Sequence, residues 1–210
     1  MFEVTHRGDV FVRSQTYDGL VNLCTGGALS RAYRRAADLI AAGDPRRVLD
    51  IGSGTGAMAI AVKQCAPASE VHGVDPSERM LDHARTNGVR SGTVAHFRWG
   101  WAQDLPFGAD EFDATIFASV LHHIPVEQRG AVLSEARRVL RPGACALIVE
   151  TLPSGLGRLV SHRHELDLDA CRRLLRATGF DGVQVGRIGS ALMGYAIGWL
   201  PTAPPRSVLW

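Results

Sequence analysis

The stretch VLHHIP, Val120–Pro125, places two adjacent histidines between an apolar run and a proline. Histidine titrates near neutrality, so His122 or His123 could act as a general base. The pair could also pack against the core or cap a helix. A zinc site would need further ligands such as His162 and His164, but no cysteine or carboxylate spacing supports one. We therefore expect no metal, and the elements around the pair must favour one of the other two interpretations.

The run RVLDIGSGTG, Arg47–Gly56, is the second candidate for chemistry. An apolar strand runs into glycines at alternate positions, and a helical pattern follows. Gly52, Gly54 and Gly56 remove side chains where the backbone must bend and approach a ligand. Asp75 ends the next apolar run, near the spacing of roughly 20 residues at which an acid binds the ribose of a nucleoside cofactor.

The glycine spacing alone leaves the cofactor open. Gly52, Gly54 and Ala57 also satisfy G-x-G-x-x-A, which is typical of dinucleotide binding. A tight strand–helix turn without a ligand accounts for one or two glycines, but not for three followed by Asp75. Against a dinucleotide, we expect no second domain in this chain to hold a substrate beside a nicotinamide.

Alternating apolar strands and helices predict an α/β fold in three layers, a Rossmann-like sheet with helices on both faces. The predicted strands are Arg47–Gly52, Glu70–Asp75, Ala95–Trp99, Phe112–Ser119, Ala144–Thr151, Gly182–Ile188 and Ala191–Trp199. The predicted helices are Tyr17–Ala42, Gly56–Cys65, Ser77–Thr86, Val126–Leu140 and Leu166–Thr178. The last two strands lie too close for a helical crossover, so they form a hairpin that puts one antiparallel strand into a seven-stranded sheet.

Length and composition indicate one ordinary globular domain. The chain has 210 residues, of which 46% are hydrophobic and 21% charged, with a net charge of +2. This small charge does not indicate a nucleic-acid partner. The cysteines are scattered, and we expect Cys65 and Cys145 to be buried thiols of a reducing compartment. The N-terminus has no apolar run typical of a signal peptide or anchor, so we expect a cytoplasmic protein without stable membrane insertion.

Five runs in order carry a family resemblance: VLDIGSGTG, GVDPSERML, the LPF of Ala102–Phe107, FDATIFASVLHHI and LRPGACALIVE. Together they resemble class I S-adenosylmethionine-dependent methyltransferases over about Tyr17–Ile188. The segment YDGLVNLCTGGALSRAYRRA is similar to the N-terminal cap of the quinone-biosynthesis type. The resemblance implies S-adenosylmethionine as cofactor and S-adenosylhomocysteine as product. It also implies a helical substrate cap at residues 1–45, a cofactor-binding core at 46–200 and an irregular tail at 201–210.

The resemblance also implies roles for individual residues. In the family the glycine loop holds the methionine part of the cofactor, an acid binds the ribose, and the end of the fourth strand contacts the methionine amino group. The matching positions here are Asp50, Gly52, Ser53, Gly54, Gly56, Asp75, Pro76, Ser77, Met80 and Ser119. His122 and His123 follow that fourth strand, whose end faces the transferred methyl group. If the chain stays extended there, only one ring faces the substrate.

One position departs from the family pattern. The family commonly has Gly-Asp-Ala before LPF, whereas this chain has Gly100-Trp101-Ala102. Adenine could then stack on the Trp101 indole, and Gln103 or Asp104 could supply the polar contact. The alternative is a weak affinity for the cofactor. Trp99 and Trp101 fall on the same side of an extended segment, and both could instead be core aromatics.

The substrate class is inferred from the cap. Tyr17, Tyr33 and His162 are the candidate substrate contacts, and the apolar cap favours an aromatic, quinone-like small molecule methylated at oxygen or carbon. The alternative is a cofactor-binding protein of this fold with a non-methylating reaction such as cyclisation or decarboxylation. The short segment after the fifth strand leaves closure of the pocket to the first helices, with a homodimer partner as a further contributor.

Overall fold

In a computed structural model, which describes residues 2–5, 8–11, 27–152 and 166–202, one seven-stranded sheet organises the protein. Its strands are β3 (Arg47–Ile51), β4 (Glu70–Asp75), β5 (His96–Trp99), β6 (Phe112–Ala118), β7 (Leu140–Thr151), β8 (Asp181–Arg187) and β9 (Met193–Trp199). Their order is β5-β4-β3-β6-β7-β9-β8, and β9 runs antiparallel to both of its neighbours while the other pairs are parallel. The predicted sheet and its C-terminal hairpin are confirmed.

Five α-helices in the described ranges cover this sheet: α1 (Ala28–Ala41), α2 (Ala57–Cys65), α3 (Glu78–Arg90), α4 (Arg129–Val139) and α5 (Leu168–Ala177). Short 3-10 turns form at Leu121–His123 and Val126–Gln128. The predicted helix at Val126–Leu140 therefore starts with a 3-10 turn, and its last residue already belongs to β7.

The central strands are buried on both faces, as a sheet between two helical layers requires. Neighbouring residues of one strand point to opposite faces. Val48 packs with α1 and α2, whereas Leu49 packs with α4 and α5, and both side chains are fully buried. Each such buried side chain stabilises the fold by about 1.5–3 kcal/mol. Two separate cores thus hold the strand ends in fixed positions.

The N-terminal part differs from the predicted continuous helix. The structure has an antiparallel hairpin of β1 (Phe2–Thr5) and β2 (Gly8–Phe11), where no strand was predicted. Helix α1 begins only at Ala28, because Gly27 has a φ of 75°, a left-handed conformation that breaks a right-handed helix. The prediction of an unbroken helix from Tyr17 is therefore wrong at Gly27. Tyr17 itself lies outside the described residues.

Helix α1 is held against the sheet at a close backbone contact. A Cβ atom on Gly189 would lie 2.4 Å from the backbone nitrogen of Ala32, so only glycine fits in the β8–β9 turn. The cysteine prediction was only partly correct. Cys65 and Cys145 are half-buried rather than buried, and the Cys65 thiol donates a hydrogen bond to Asp38.

Candidate active site at the carboxyl ends of the strands

The carboxyl ends of β3, β4 and β6 meet at one edge of the sheet. On one side of β3 the sheet continues with β4 and then β5. On the other side it continues with β6 and then β7, so the strand order reverses at β3. This reversal opens a crevice between the connecting loops, and ligands of open α/β sheets bind at such points. The residues singled out in the sequence follow these same strand ends.

The glycine loop after β3 has one opening. Gly52, Gly54 and Gly56 all have positive φ values, of 72°, 50° and 80°. A Cβ on Gly52 would lie 2.2 Å from Val120 Cγ2, and one on Gly56 would lie 2.8 Å from Phe97 Cζ, so packing requires these two glycines. A Cβ on Gly54 would meet only Met80 Cε at 3.6 Å, and that side is open to a ligand.

The carboxyl group of Asp75 fastens the loop to the end of β4. Its Oδ2 accepts the backbone N–H of Gly54 at 2.9 Å, and its Oδ1 accepts the N–H of Ser77 at 2.9 Å. Burial raises the pKa of Asp75, and the two hydrogen bonds act in the opposite direction. Each carboxyl oxygen has a further lone pair, so both can still accept hydrogen bonds from hydroxyl groups of a ligand.

Asp50 lies beneath the loop and is fully buried. Its Oδ2 accepts the N–H of Ala59, in the first turn of α2, at 3.0 Å, and thereby caps that helix. Its Oδ1 has no hydrogen-bond partner among the described residues. Burial raises the pKa of Asp50 to about 7, and the charge of Asp75 adds to this shift. The position of Asp50 therefore suits support of the loop.

The remaining predicted cofactor residues surround this opening. Ser53 and Met80 are buried, whereas Pro76 is half-buried. The Ser53 Oγ has no hydrogen-bond partner among the described residues. Ser77 caps α3, and its Oγ accepts the N–H of Met80 at 3.4 Å.

The two tryptophans have different environments. Trp99 is 49% exposed, so the core interpretation is wrong for it. Its indole Nε1–H donates to the carbonyl of Pro76 at 2.9 Å, and Trp99 pairs with Asp75 in the sheet register. Trp101 is half-buried and forms an isolated bridge with Asp104, and the following Ala102 packs against the core. The Trp99 indole is therefore tied to the backbone of Pro76, the residue that follows Asp75.

Ser119 follows β6 in a left-handed conformation with a φ of 57°. Such a conformation costs a residue other than glycine about 1–3 kcal/mol and is found most often at functional sites. The Ser119 N–H donates to Val149 at 2.8 Å, and its Oγ has no hydrogen-bond partner among the described residues. Tyr33 of α1 donates its hydroxyl to the carbonyl of Ala118 at 3.5 Å. Tyr33 therefore reaches the same strand end, as a substrate contact would have to.

The two histidines form a 3-10 turn, so the extended chain on which the opposite-pointing rings depended does not occur. The His122 and His123 ring centroids are 3.9 Å apart, with an angle of 45° between the planes. The backbone of β2 lies beside this turn. Both rings are thus on one side of the chain and in mutual contact.

Glu150 is a functional candidate that the sequence analysis missed. It lies near the end of β7, is 2% exposed, and its Oε2 is 2.7 Å from His122 Nδ1. Its Oε1 accepts the N–H of Leu121 at 2.8 Å, which fixes the carboxyl group. A carboxylate accepts hydrogen bonds, so this contact suits an imidazole that presents Nδ1–H to Glu150. The available signal was an acid inside the apolar run ALIVE.

The second histidine has a strongly lowered pKa. Burial, followed by the charge of His122, lowers the pKa of His123 to about 3. A group with this pKa is neutral at pH 7 and a weak proton acceptor. The geometry therefore separates the pair into a carboxylate-bound imidazole and a neutral neighbour.

Within the described ranges, no group of three or more histidine, cysteine or acidic side chains is placed to hold a metal ion. His162 and His164 lie outside those ranges, as do the predicted substrate residues Tyr17 and His162. No helix in the described part of the chain has the length and apolarity needed to cross a membrane.

Comparison with known proteins agrees with this geometry. Residues 48–143, which contain the glycine loop, Asp75 and both histidines, match the family described as "Methyltransferase domain". Residues 48–143 therefore form a methyltransferase domain of this family. The chain overlays a putative O-methyltransferase of Nostoc punctiforme with a TM-score of 0.72 and 20% identity, over 83% of this chain and 57% of that one. This similarity supports the fold.

Two curated relatives of the chain are named as methyltransferases of menaquinone or ubiquinone compounds. Over 141 residues the chain is 36% identical to demethylmenaquinone methyltransferase of Thermus thermophilus, covering 67% of this chain and 63% of the relative. Over 145 residues it is 33% identical to the ubiquinone/menaquinone biosynthesis C-methyltransferase UbiE of Paracoccus denitrificans, covering 67% and 57%. The chain thus spans less than two thirds of the length of these relatives.

Proposed function

We propose that this protein transfers the methyl group of S-adenosylmethionine to oxygen or carbon of a hydrophobic, quinone-like aromatic molecule. The observation that carries the proposal is that Gly54 leaves space for a ligand beside the loop. Its N–H is bound by the Asp75 carboxyl group, and both residues lie where the strand order reverses. The names of the curated relatives, which are methyltransferases of quinone biosynthesis, support the choice of acceptor.

The residues present fit the cofactor. Gly54 lets a ligand approach the loop backbone, and Asp75 offers lone pairs to the two hydroxyls of a ribose. Asp50 supports the loop from below, and the half-exposed indole of Trp99 is held at the backbone of Pro76, next to Asp75 in the chain. The group would be held by this set together with the loop and strand-end residues Gly52, Ser53, Gly56, Pro76, Met80, Trp101, Ala102 and Ser119.

The bound cofactor supplies a methyl carbon that is already activated by a sulfonium centre. The protein then has to bind both reactants and align them, which in the most favourable cases lowers the barrier by about 7–11 kcal/mol. The strained turn at Ser119, buttressed by its hydrogen bond to Val149, fixes the end of β6 where the two reactants meet. No metal is needed for this alignment.

A base is needed when the acceptor keeps its proton at pH 7, as a phenol with a pKa near 10 does. His122 fits this role because Glu150 binds its Nδ1 at 2.7 Å and so orients the imidazole. When His122 becomes cationic, the buried carboxylate stabilises it. We assign Glu150 as the positioning residue and His122 as the catalytic base, and we assign the neutral His123 to packing against it.

The acceptor binds between the strand ends and α1. Tyr33 reaches the carbonyl of Ala118 from α1, which brings it to the mouth of the site. We keep Tyr33 as a substrate contact, and Tyr17 and His162 as predicted contacts. Pairing of two copies of the chain also stays a prediction, as does a cytoplasmic location.

A non-methylating reaction is the other proposal compatible with the fold, because a fold does not determine a reaction. The names of the curated relatives do not favour it. The test is mass spectrometry of reactions containing methyl-labelled cofactor and a panel of hydroquinones, phenols and amines. We expect label on a hydroquinone or phenol. A cyclised or decarboxylated product without label would refute methyl transfer and support the non-methylating reaction.

A further inference from the structure

A second surface of the chain is strongly cationic. Helix α1 and the end of β8 line an open groove with a volume of about 910 Å³. Among the described residues that line it, four are arginines, one is the acidic Asp38 and one is the exposed apolar Leu39. The arginines are Arg31, Arg34, Arg35 and Arg187, and all four are exposed. On a chain with a net charge of only +2, this concentrates positive charge on one face.

The groove lies beside the mouth of the active site. Strand β8 runs antiparallel to β9, which runs antiparallel to β7, so the carboxyl ends of β8 and β7 are at the same edge. Arg187 ends β8, and the next residues are joined to α1 through the close contact of Gly189 with Ala32. On the same helix, Tyr33 reaches the end of β6. A surface bound in the groove would therefore face the entrance for the acceptor.

We propose that this groove docks the protein on the anionic lipid headgroups of a membrane surface. The apolar face of α1 is buried against the sheet, so its cluster of exposed arginines is what a lipid surface would meet. Clusters of four or more basic side chains on a helix are typical of binding to anionic lipid headgroups. The inference rests on the proposed function, because docking is useful only for an acceptor that lies in the membrane. A hydrophobic quinone-like acceptor partitions into lipid, and each buried CH₂ group raises its partition coefficient by about fourfold. Docking at this edge brings the active site to the acceptor without inserting the chain.

The strength of the effect follows from the charges. Each arginine close to an anionic membrane raises affinity by about fivefold. Reversing two of them should lower binding by at least about 25-fold, and added salt should weaken binding because the interaction is screened beyond roughly 10 Å at 0.1 M. Arg31 and Arg35 suit the reversal because they lie four residues apart on the exposed side of α1.

The experiment is flotation of the full chain with vesicles, without cofactor or acceptor. One set contains phosphatidylcholine only, and the other an equimolar mixture of phosphatidylcholine and phosphatidylglycerol. We expect binding to the anionic vesicles alone, and at least about 25-fold weaker binding for Arg31→Glu/Arg35→Glu. The matched control, Arg173→Glu/Arg176→Glu on α5 at the other face of the sheet, changes the net charge equally and should bind as the parent does.

Three results would overturn the proposal: no binding to the anionic vesicles, an equal loss in both variants, or displacement of the protein from vesicles by a stoichiometric duplex oligonucleotide. The last result would assign the groove to nucleic acid. Methyl transfer to a detergent-dissolved acceptor is measured separately on the same preparations. Activity there with no vesicle binding refutes the docking surface alone, whereas vesicle binding without methyl transfer refutes the proposed function alone.

Discussion

The buried carboxyl group of Asp50 gives the fold a pH dependence that one substitution should remove. The pKa of Asp50 rises from 3.8 to about 7 in the folded chain. Below pH 3.8 the group is protonated in both states and contributes nothing. As the pH rises to 7, the unfolded chain loses the proton and the folded chain keeps it, so folding becomes less favourable. The full penalty is at most about 4 kcal/mol and is constant above pH 7.

Asp50→Asn lacks this titration, although its amide oxygen can still accept the N–H of Ala59. In the variant, the NH₂ group replaces Oδ1, which has no hydrogen-bond partner among the described residues. Burying this NH₂ group lowers the free energy of unfolding by an amount that does not change with pH. We therefore expect the stability of the variant relative to the parent to rise between pH 4 and 7 and then to level off.

Urea denaturation without cofactor at several pH values measures this difference. Asp44→Asn, the same change at an exposed carboxylate, is the matched control and should show much less dependence. A difference between Asp50→Asn and the parent that stays constant from pH 4 to 8 would refute the assignment of a buried, raised-pKa carboxyl group.

The remaining predictions concern the site itself. His122→Ala should lower kcat by about 10²–10⁴ with unchanged cofactor affinity, whereas His123→Ala should lose much less; full activity in both variants excludes a histidine base. Glu150→Gln should lower kcat and move the acidic limb of the pH–rate profile to lower pH, since the imidazolium loses its carboxylate; an unmoved profile contradicts the positioning role. Gly52→Ala should lower the urea midpoint because of its steric clash, whereas Gly54→Ala should mainly weaken cofactor binding in calorimetry; the reverse order contradicts the described packing.

The strand pattern was predictable because the period of apolar residues reports burial directly. Glu70–Asp75 has the bounds that were predicted, and the glycine loop follows β3 as expected. The N-terminal hairpin was not predictable from FEVT and GDVF, since four-residue strands of mixed polarity carry little periodicity. Gly27 has a left-handed conformation that only the folded backbone reveals.

The candidate site shows the same division. Asp75 and the glycines were identified because their spacing along the chain is fixed by one strand–loop–helix unit. Glu150 was missed because its partner, His122, lies 28 residues away in sequence and meets it only through the pairing of β6 with β7. The contrast between His122 and His123 also depended on burial and on the 3-10 turn, neither of which the letters LHH contain.

The central claim is that Gly54 and Asp75 form the cofactor site, and calorimetric titration with S-adenosylmethionine tests it most directly. Asp75→Ala removes the acceptor of two hydroxyls, each worth about 1.5–3 kcal/mol when the acceptor is charged. We predict one site per chain and affinity at least about 100-fold weaker in Asp75→Ala. Asp82→Ala, at an exposed carboxylate on α3, should bind as the parent does. Unchanged affinity in a folded Asp75→Ala variant would contradict the account.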